Sequence, residues 1–264
     1  MPVSPSPLSR SAVVTRLRSA GCVFAEDEAD LLMSAATTQA ALAAMVDQRA
    51  AGLPLEQVVG WAKFCGLRIA VDPGVFVPRR RTEFLVRQAV ALAPPRPVIV
   101  DLCCGSGAVG AALAAALDPA ELHAADVDHA AVRCARRNLA AAGGHVYCGD
   151  LFEPLPAALH GRVDILAANV PYVPTGEVAL LPAEARLHEP QVALDGGGDG
   201  LDVLRRVAAQ APLWLAPGGS LLVEISDRQE PQACDTTRRG GLVPRMARSA
   251  ELAVTVLIAS KPAG

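Results

Sequence analysis

From Pro97 onward the chain alternates short apolar runs with helical stretches. Val98 to Asp101 leads into an Ala-rich helix ending near Leu117; Glu121 to Asp126 leads into a helix from His129 to Ala142; His145 to Gly149 and Val163 to Asn169 follow. A helix near Leu201 to Ala211 precedes a fifth run, Gly219 to Ile225, and two more apolar runs between Gly241 and Ser260 are placed to pair antiparallel. Strands separated by helices lie parallel, because a parallel pair needs a long crossover between its members. The pattern commits this region to an open α/β sheet, and such sheets bind ligands beyond the carboxyl ends of their strands.

The preceding region reads differently. Val13, Val14 and Leu17, then Leu31 and Leu32, then Leu42, Met45 and Val46 recur at three-to-four spacing, which predicts helices between Ser11 and Gly52. Gly21 and Gly52 punctuate them, and Thr37 or Thr38 is placed to cap the third. Phe64 to Val71 and Val75 to Val77, on either side of Asp72-Pro73-Gly74, read as a β-hairpin with a Pro-Gly turn. Thr82 is expected to cap a helix through Leu92. The expected organisation is a helical domain over 1–60 that recognises substrate, a hairpin linker over 61–80, and the sheet domain over 81–264. Met1 to Arg10 is expected to be a frayed tail; it has no secretory apolar segment.

Charge and cysteine usage narrow the class. A net charge of -3 argues against stable nonspecific binding to nucleic acid. No apolar run approaches the roughly 20 residues needed to span a bilayer. The seven cysteines are odd in number and contain no C-x-x-C pair, so neither structural zinc nor a disulfide framework is expected. The simplest reading is a protein of the reducing cytoplasm, with no metal and no membrane partner.

Two loops carry the chemistry. Asp101-Leu102-Cys103-Cys104-Gly105-Ser106-Gly107 closes the first strand of the sheet domain and opens a helix, whose N-terminus offers N–H groups to a ligand. Gly105, Gly107 and Gly110 fit the dinucleotide fingerprint, with Asp126 near the distance expected for a ribose contact. The same residues fit an S-adenosylmethionine loop, in which Asp126 accepts from the ribose hydroxyls. An acid at Asp101 would repel a pyrophosphate and suits a cationic sulfonium, which favours the methyl donor. Asp150 and Leu151, with Phe152, are placed to hold an adenine, and Val127 follows Asp126 at the same edge. A bland alternative makes Asp126 the cap of the next helix.

The second loop is Asn169-Val170-Pro171-Tyr172. A strand running into a Pro-locked turn presents one amide side chain, one ring and stiffened carbonyls at the sheet edge. That set can hold a planar NH2 group.

Together these residues resemble the HemK-type protein-(glutamine-N5) methyltransferases, over nearly the whole chain. Val75-Phe76-Val77-Pro78-Arg79 with Thr82-Glu83 is similar to the family's V-L-I-P-R-P-E-T-E segment, and Asp101 to Gly107 to its D-L-G-T-G-S-G. Gly149 to Phe152 matches G-D-L-F, and Asn169 to Tyr172 stands for N-P-P-Y. Glu189-Pro190, Ala193-Leu194, Gly196-Gly197 and Asp199-Gly200-Leu201 match the E-P-x-x-A-L-x-G-G-x-D-G-L signature, the most specific of these. The resemblance implies a Rossmann-like, seven-stranded class I S-adenosylmethionine-dependent methyltransferase domain with a small N-terminal helical domain and a linking β-hairpin. It implies methylation of a glutamine side-chain amide, that of the Gly-Gly-Gln motif of a peptide-chain release factor, by a monomer. Asn169, Val170, Pro171 and Tyr172 would be catalytic; Asp101, Cys103, Cys104, Gly105, Ser106, Gly107, Asp126, Val127, Asp150, Leu151 and Asn169 would hold the cofactor.

Three departures stand out. Val170 replaces a proline, keeping the carbonyl but loosening the turn. Cys103 replaces a loop glycine. Arg80-Arg81 replaces Pro-Glu and bears on which protein is recognised. Other acceptors keep the same donor: a glutamine of another protein such as a ribosomal protein, or an exocyclic base amine of DNA or RNA. A dehydrogenase would need a catalytic His or Lys, for which His188 is the candidate, and a degenerate scaffold would not need Asn169, Tyr172, Asp126 or Gly107 intact.

Overall fold

The computed structural model describes residues 8–263. Most of the expected N-terminal tail, residues 1–7, lies outside these. Leu8 to Arg10 are not a tail: Ser9 caps the first helix by accepting from the Ala12 N–H, and the Leu8 N–H donates to Gln39 Oε1.

Helices α1 (Arg10–Ser19), α2 (Ala25–Ala35), α3 (Gln39–Ala50) and α4 (Leu55–Val59) come first. The three-to-four spacing of apolar residues gathers Val13, Leu17, Leu32, Leu42 and Val46 into one buried cluster. Thr38 is the cap of α3, accepting from the Ala41 N–H. Glu28 and Arg49, both largely buried, pair beneath this cluster and tie α2 to α3.

Strands β1 (Trp61–Phe64) and β2 (Leu67–Ala70) form the hairpin. Its turn is Cys65-Gly66, not Pro73-Gly74. Both turn residues have positive φ, +47° and +78°, and this mirror-image turn matches the right-handed twist of paired strands. Asp72 to Val75 does turn, but the segment beyond it pairs with no strand. Its backbone groups go to side chains: the Val75 carbonyl accepts from Gln57 and the Val77 N–H donates to Glu189. Thr82 is not a helix cap either. Arg80 to Thr82 forms a tight helical turn running directly into α5 (Glu83–Leu92), which leaves the Thr82 hydroxyl to donate to Glu224 at 2.7 Å.

The remaining elements are β3 (Val98–Leu102), α6 (Ala108–Ala116), β4 (Glu121–Asp126), α7 (His129–Leu139), β5 (His145–Cys148), β6 (Val163–Ala168), α8 (Ala183–His188), α9 (Asp202–Trp214), β7 (Leu215–Ile225), α10 (Glu230–Arg239), β8 (Val243–Ser249) and β9 (Val254–Ser260). They build the expected seven-stranded sheet, in the order β5-β4-β3-β6-β7-β9-β8. Only the pairings of β9 are antiparallel. Strand alternation divides the core between two faces. Val100, Leu102, Leu166, Leu221 and Leu257 pack on one side with α9; Ile99, Ile165, Leu222 and Ile258 pack on the other with α5 and α6. Each such residue contributes roughly 1.5–3 kcal/mol by burial.

From β3 the chain runs outward to β5 and then returns to lay β6 against the other side of β3. That reversal is the topological switch point, and it opens a crevice between the ends of β3 and β6. Among the described residues, no helix is long and apolar enough to cross a membrane.

Candidate active site

A cleft of about 510 Å³ occupies the switch point. Asp101, Cys103, Cys104, Gly105, Ser106, Asp126, Val127, Asp150 and Leu151 line one end, and Asn169 to Tyr172 line the other. Phe152, expected beside an adenine, is instead buried in the core, stacked on Trp214 with ring centroids 5.2 Å apart. Every other expected site residue except Gly107 is in one cavity. Gly107 is buried behind it with φ +77°, and a Cβ there would sit 3.1 Å from that of Ala135, so it serves the packing of α6 on α7.

At the first end, Asp101 is buried and accepts from the Gly110 N–H at 2.8 Å. Burial pushes its carboxyl up to about 7; the neighbouring charge of Asp126 adds to this and the Gly110 bond opposes it. Asp126 accepts from the Gly105 N–H at 2.8 Å and the Asp128 N–H at 2.9 Å, and burial raises its pKa too. The cap of α7 is Asp128, which accepts from the Ala130 N–H, so Asp126 is not a helix cap. Cys103 sits at φ +53°, the left-handed conformation that glycine adopts without strain. Burial and the carboxylates of Asp126, Asp101 and Asp150 raise its thiol pKa, which holds it as an inert thiol.

At the second end, β6 stops at Ala168 and the chain turns through Asn169 to Tyr172. Asn169 Oδ1 is covered from solvent and has no hydrogen-bond partner among the described residues. A buried acceptor without a donor is uncommon and calls for a reason. No hydrogen bond among the described residues uses the Val170 carbonyl, whereas the Tyr172 carbonyl accepts from Gln229 and that of Val173 from the Gly196 N–H. The turn thus leaves acceptors on two consecutive residues without partners among the described residues while its flanks are satisfied.

Residues remote in sequence fix this turn. The Tyr172 hydroxyl donates to Glu224 at 2.8 Å and accepts from Arg81 at 2.6 Å; Arg81 Nε and the Thr82 hydroxyl, each at 2.7 Å, complete the set around the buried Glu224 carboxylate. Burial, then the Glu224 charge, raises the Tyr172 phenol, so it stays protonated. The Gly-rich signature lies directly on the turn: a Cβ on Gly196 would come within 2.6 Å of the Pro171 carbonyl, and one on Gly200 would meet that of Tyr172. Glu189 accepts from the Val77 N–H and pairs with Arg79, so the signature and the Val75–Arg79 segment grip each other.

Sequence reasoning missed Glu224, Gln229 and Arg206, which pairs with Asp150 at the cleft mouth. Glu224 carried one signal, a lone acid inside the apolar run Leu221 to Ile225. His188 does not line the cleft; its Nε2 faces the end of α3, 3.9 Å from where a Cβ on Gly52 would stand.

Residues 66–208 match the family model of the methyltransferase small domain. The release factor glutamine methyltransferase of Geobacter sulfurreducens is 40% identical over 188 residues, 70% of this chain and 65% of that protein. The protein of the same name from Mycolicibacterium smegmatis is 41% identical over 204 residues, 76% of this chain and 72% of its own length. A methyltransferase structure from Pyrococcus furiosus superposes with a TM-score of 0.57 at 17% identity, covering 75% of this chain and 90% of that one, which shows a shared fold. With the family model spanning more than half of its length, and relatives of one name aligned through both ends of the cleft, the chain belongs to the release factor glutamine methyltransferase family.

Proposed function

We propose that this protein transfers a methyl group from S-adenosylmethionine to the side-chain amide nitrogen of a protein glutamine, the acceptor being the Gly-Gly-Gln glutamine of a peptide-chain release factor. The observation that carries the reading is the pair of acceptors without a partner among the described residues, Asn169 Oδ1 and the Val170 carbonyl, on two residues that line the same cleft as three carboxylates.

The residues present fit the methyl donor. Asp101, Asp126 and Asp150 give the donor end a negative character that suits a sulfonium and an ammonium. The same carboxylates oppose a pyrophosphate, and the Gly105 N–H that a phosphate would need already donates to Asp126. Asp126 would hold the ribose hydroxyls, Leu151 would pack against the adenine, and the backbone of Cys103 to Ser106 would cradle the remainder. When bound, the cofactor supplies an electrophilic methyl carbon on a cationic sulfur.

An amide nitrogen is a poor nucleophile because its lone pair is shared with its carbonyl. Asn169 Oδ1 and the Val170 carbonyl accept its two hydrogens, orienting the NH2 group and stabilising the positive charge that grows on nitrogen as the bond to carbon forms. Rotation of the Asn169 amide about its soft terminal torsion brings the oxygen from its covered position to the acceptor. Pro171 and the clamped Tyr172 ring hold the flat amide in place. Such alignment supplies up to about 7–11 kcal/mol in favourable cases. As the bond from nitrogen to the methyl carbon forms, the methyl's bond to sulfur would break and leave a neutral thioether; the acidified nitrogen then gives its extra proton to water, so a strong base is not required. The N-terminal helices, whose Glu56 reaches the cleft, would grip the protein substrate.

Incubation with a release factor and labelled donor, followed by mass mapping, tests this. A methyl on the Gly-Gly-Gln glutamine is expected. Label on a ribosomal protein or on nucleic acid instead would overturn the assigned acceptor.

A further inference from the structure

The clamp on Tyr172 has an unusual member. Arg81 belongs to the segment that enters α5, some 90 residues before the turn it touches, and its side chain is about half exposed. It bonds Glu224 through Nε and the Tyr172 hydroxyl through its terminal nitrogen, while Tyr172 bonds the same Glu224 oxygen. The three groups close a ring of hydrogen bonds on one edge of the cleft. Glu224 is 2% exposed, on a strand held on both sides, β7 lying inside the sheet between β6 and β9. Arg81 therefore anchors the ring of Tyr172 to the sheet from the solvent side.

The turn itself lacks stiffness at one place. Pro171 has a fixed φ, but Val170 does not, and the Val170 carbonyl is one of the two acceptors. A turn with a rotatable residue between Asn169 and Pro171 needs its far end held if both acceptors are to keep one orientation. Gln229 holds the Tyr172 carbonyl and Arg81 holds the hydroxyl.

We propose that Arg81 is a positioning residue: by locking Tyr172 to Glu224 it fixes the Asn169–Tyr172 turn and supplies the rigidity that a proline at position 170 would otherwise give. Its contribution to turnover rests on the methyl-transfer reading above, while its effect on Tyr172 does not.

The test uses the full chain, single-turnover transfer to a release factor, and 19F spectra of protein labelled with 3-fluorotyrosine. The chain has two tyrosines, so Tyr147→Phe assigns the Tyr172 signal. Arg81→Ala should lower the single-turnover rate about tenfold or more with the donor KM changed less than about twofold, the mark of lost alignment rather than lost binding. Tyr172→Phe should add less than about twofold in the Arg81→Ala background, because both changes break one ring of bonds. Val170→Pro should recover several-fold in that background, and Arg81→Lys, a point donor without the fork, should recover less than half of the loss. The Tyr172 signal should shift or broaden in Arg81→Ala. Multiplicative losses for Arg81→Ala and Tyr172→Phe, or an unshifted Tyr172 signal, would overturn the clamp. If the wild type transfers no methyl to any glutamine, the reading of function fails, and the 19F spectrum still decides whether Arg81 holds the ring.

Discussion

The donor loop and the acceptor turn sit at opposite ends of one cleft and are held in different ways. From Asp101 to Gly107 most bonds are short-range or cross one strand, as with Gly110 to Asp101, Gly105 to Asp126 and Gly107 to Cys104; from further off, Asn138 on α7 donates to the Ser106 carbonyl. The acceptor turn draws on Arg81, the 194–200 loop and the pair Glu224 and Gln229, three separate parts of the chain. A donor of constant shape can be met by a local backbone motif. An acceptor delivered by another macromolecule must meet a turn that keeps its orientation while it waits, and that takes support from outside the turn.

The largest expected effect lies at the acceptor turn. Asn169→Ala should lower turnover by about 10²–10³, by analogy with loss of one preorganised polar partner. Its melting temperature should not fall, because Oδ1 has no bond to lose in the folded chain among the described residues. Turnover and thermal unfolding of one variant check both halves. Unchanged turnover would remove Asn169 from the reaction, and a large loss of stability would show that its amide has a structural partner.

Next comes the remote support. Glu224→Gln keeps the shape but removes the charge that Arg81, Thr82 and Tyr172 share. Charge-assisted hydrogen bonds are worth about 1.5–3 kcal/mol each, but the exposed side of Arg81 regains water, so a net loss of about 1–3 kcal/mol is expected by denaturant unfolding. Turnover should fall with it while donor affinity holds. A comparable fall in donor affinity would mean that the two ends of the cleft are not held independently.

The difference between the two ends also explains what could be read from the sequence. The sheet was legible because Val98 to Asp101 and its successors repeat one local pattern, and the donor loop because Asp101, Gly105 and Asp126 follow the strand order. The Cys65-Gly66 turn was not, because Asp72-Pro73-Gly74 carries the stronger local turn chemistry, and only the backbone shows that Val75 to Val77 spend their bonds on Gln57 and Glu189. The role of Thr82 was hidden for the same reason: its partner, Glu224, is more than a hundred residues away. Gly196 and Gly200 stood in a readable motif whose purpose, close approach to the Pro171 and Tyr172 carbonyls, belongs to the tertiary structure.

At the donor end the effects should be smaller and confined to binding. Asp126→Ala removes an acceptor for the ribose and should weaken S-adenosylmethionine binding by about 1.5–3 kcal/mol, the range for bonds to a charged group. Calorimetry measures it. The Gly105 N–H also loses its partner, so Asp126→Asn, which keeps an acceptor, should recover part of the affinity. Equal affinity for wild type and Asp126→Ala would remove the ribose contact.

The last effect is a pH dependence that belongs to the donor end alone. Asp101 is raised to about 7 in the folded chain, chiefly by burial, while an unfolded Asp titrates near 3.9. Between those values the folded state carries the extra proton, so this group makes the ligand-free protein less stable as pH rises from about 4 to 7, by at most about 1.4 kcal/mol per unit. A cationic ligand nearby reverses the preference, because it favours the carboxylate. Affinity for S-adenosylmethionine should therefore rise with pH from 5 to about 7, by at most about tenfold per unit, and level off above. Asp101→Asn should flatten most of that slope, leaving what Asp126 contributes, since its pKa is raised as well. The rate of transfer from the saturated complex, set at the acceptor turn, should change little over the same range. A full slope that survives in Asp101→Asn would place the titrating group elsewhere in the cleft.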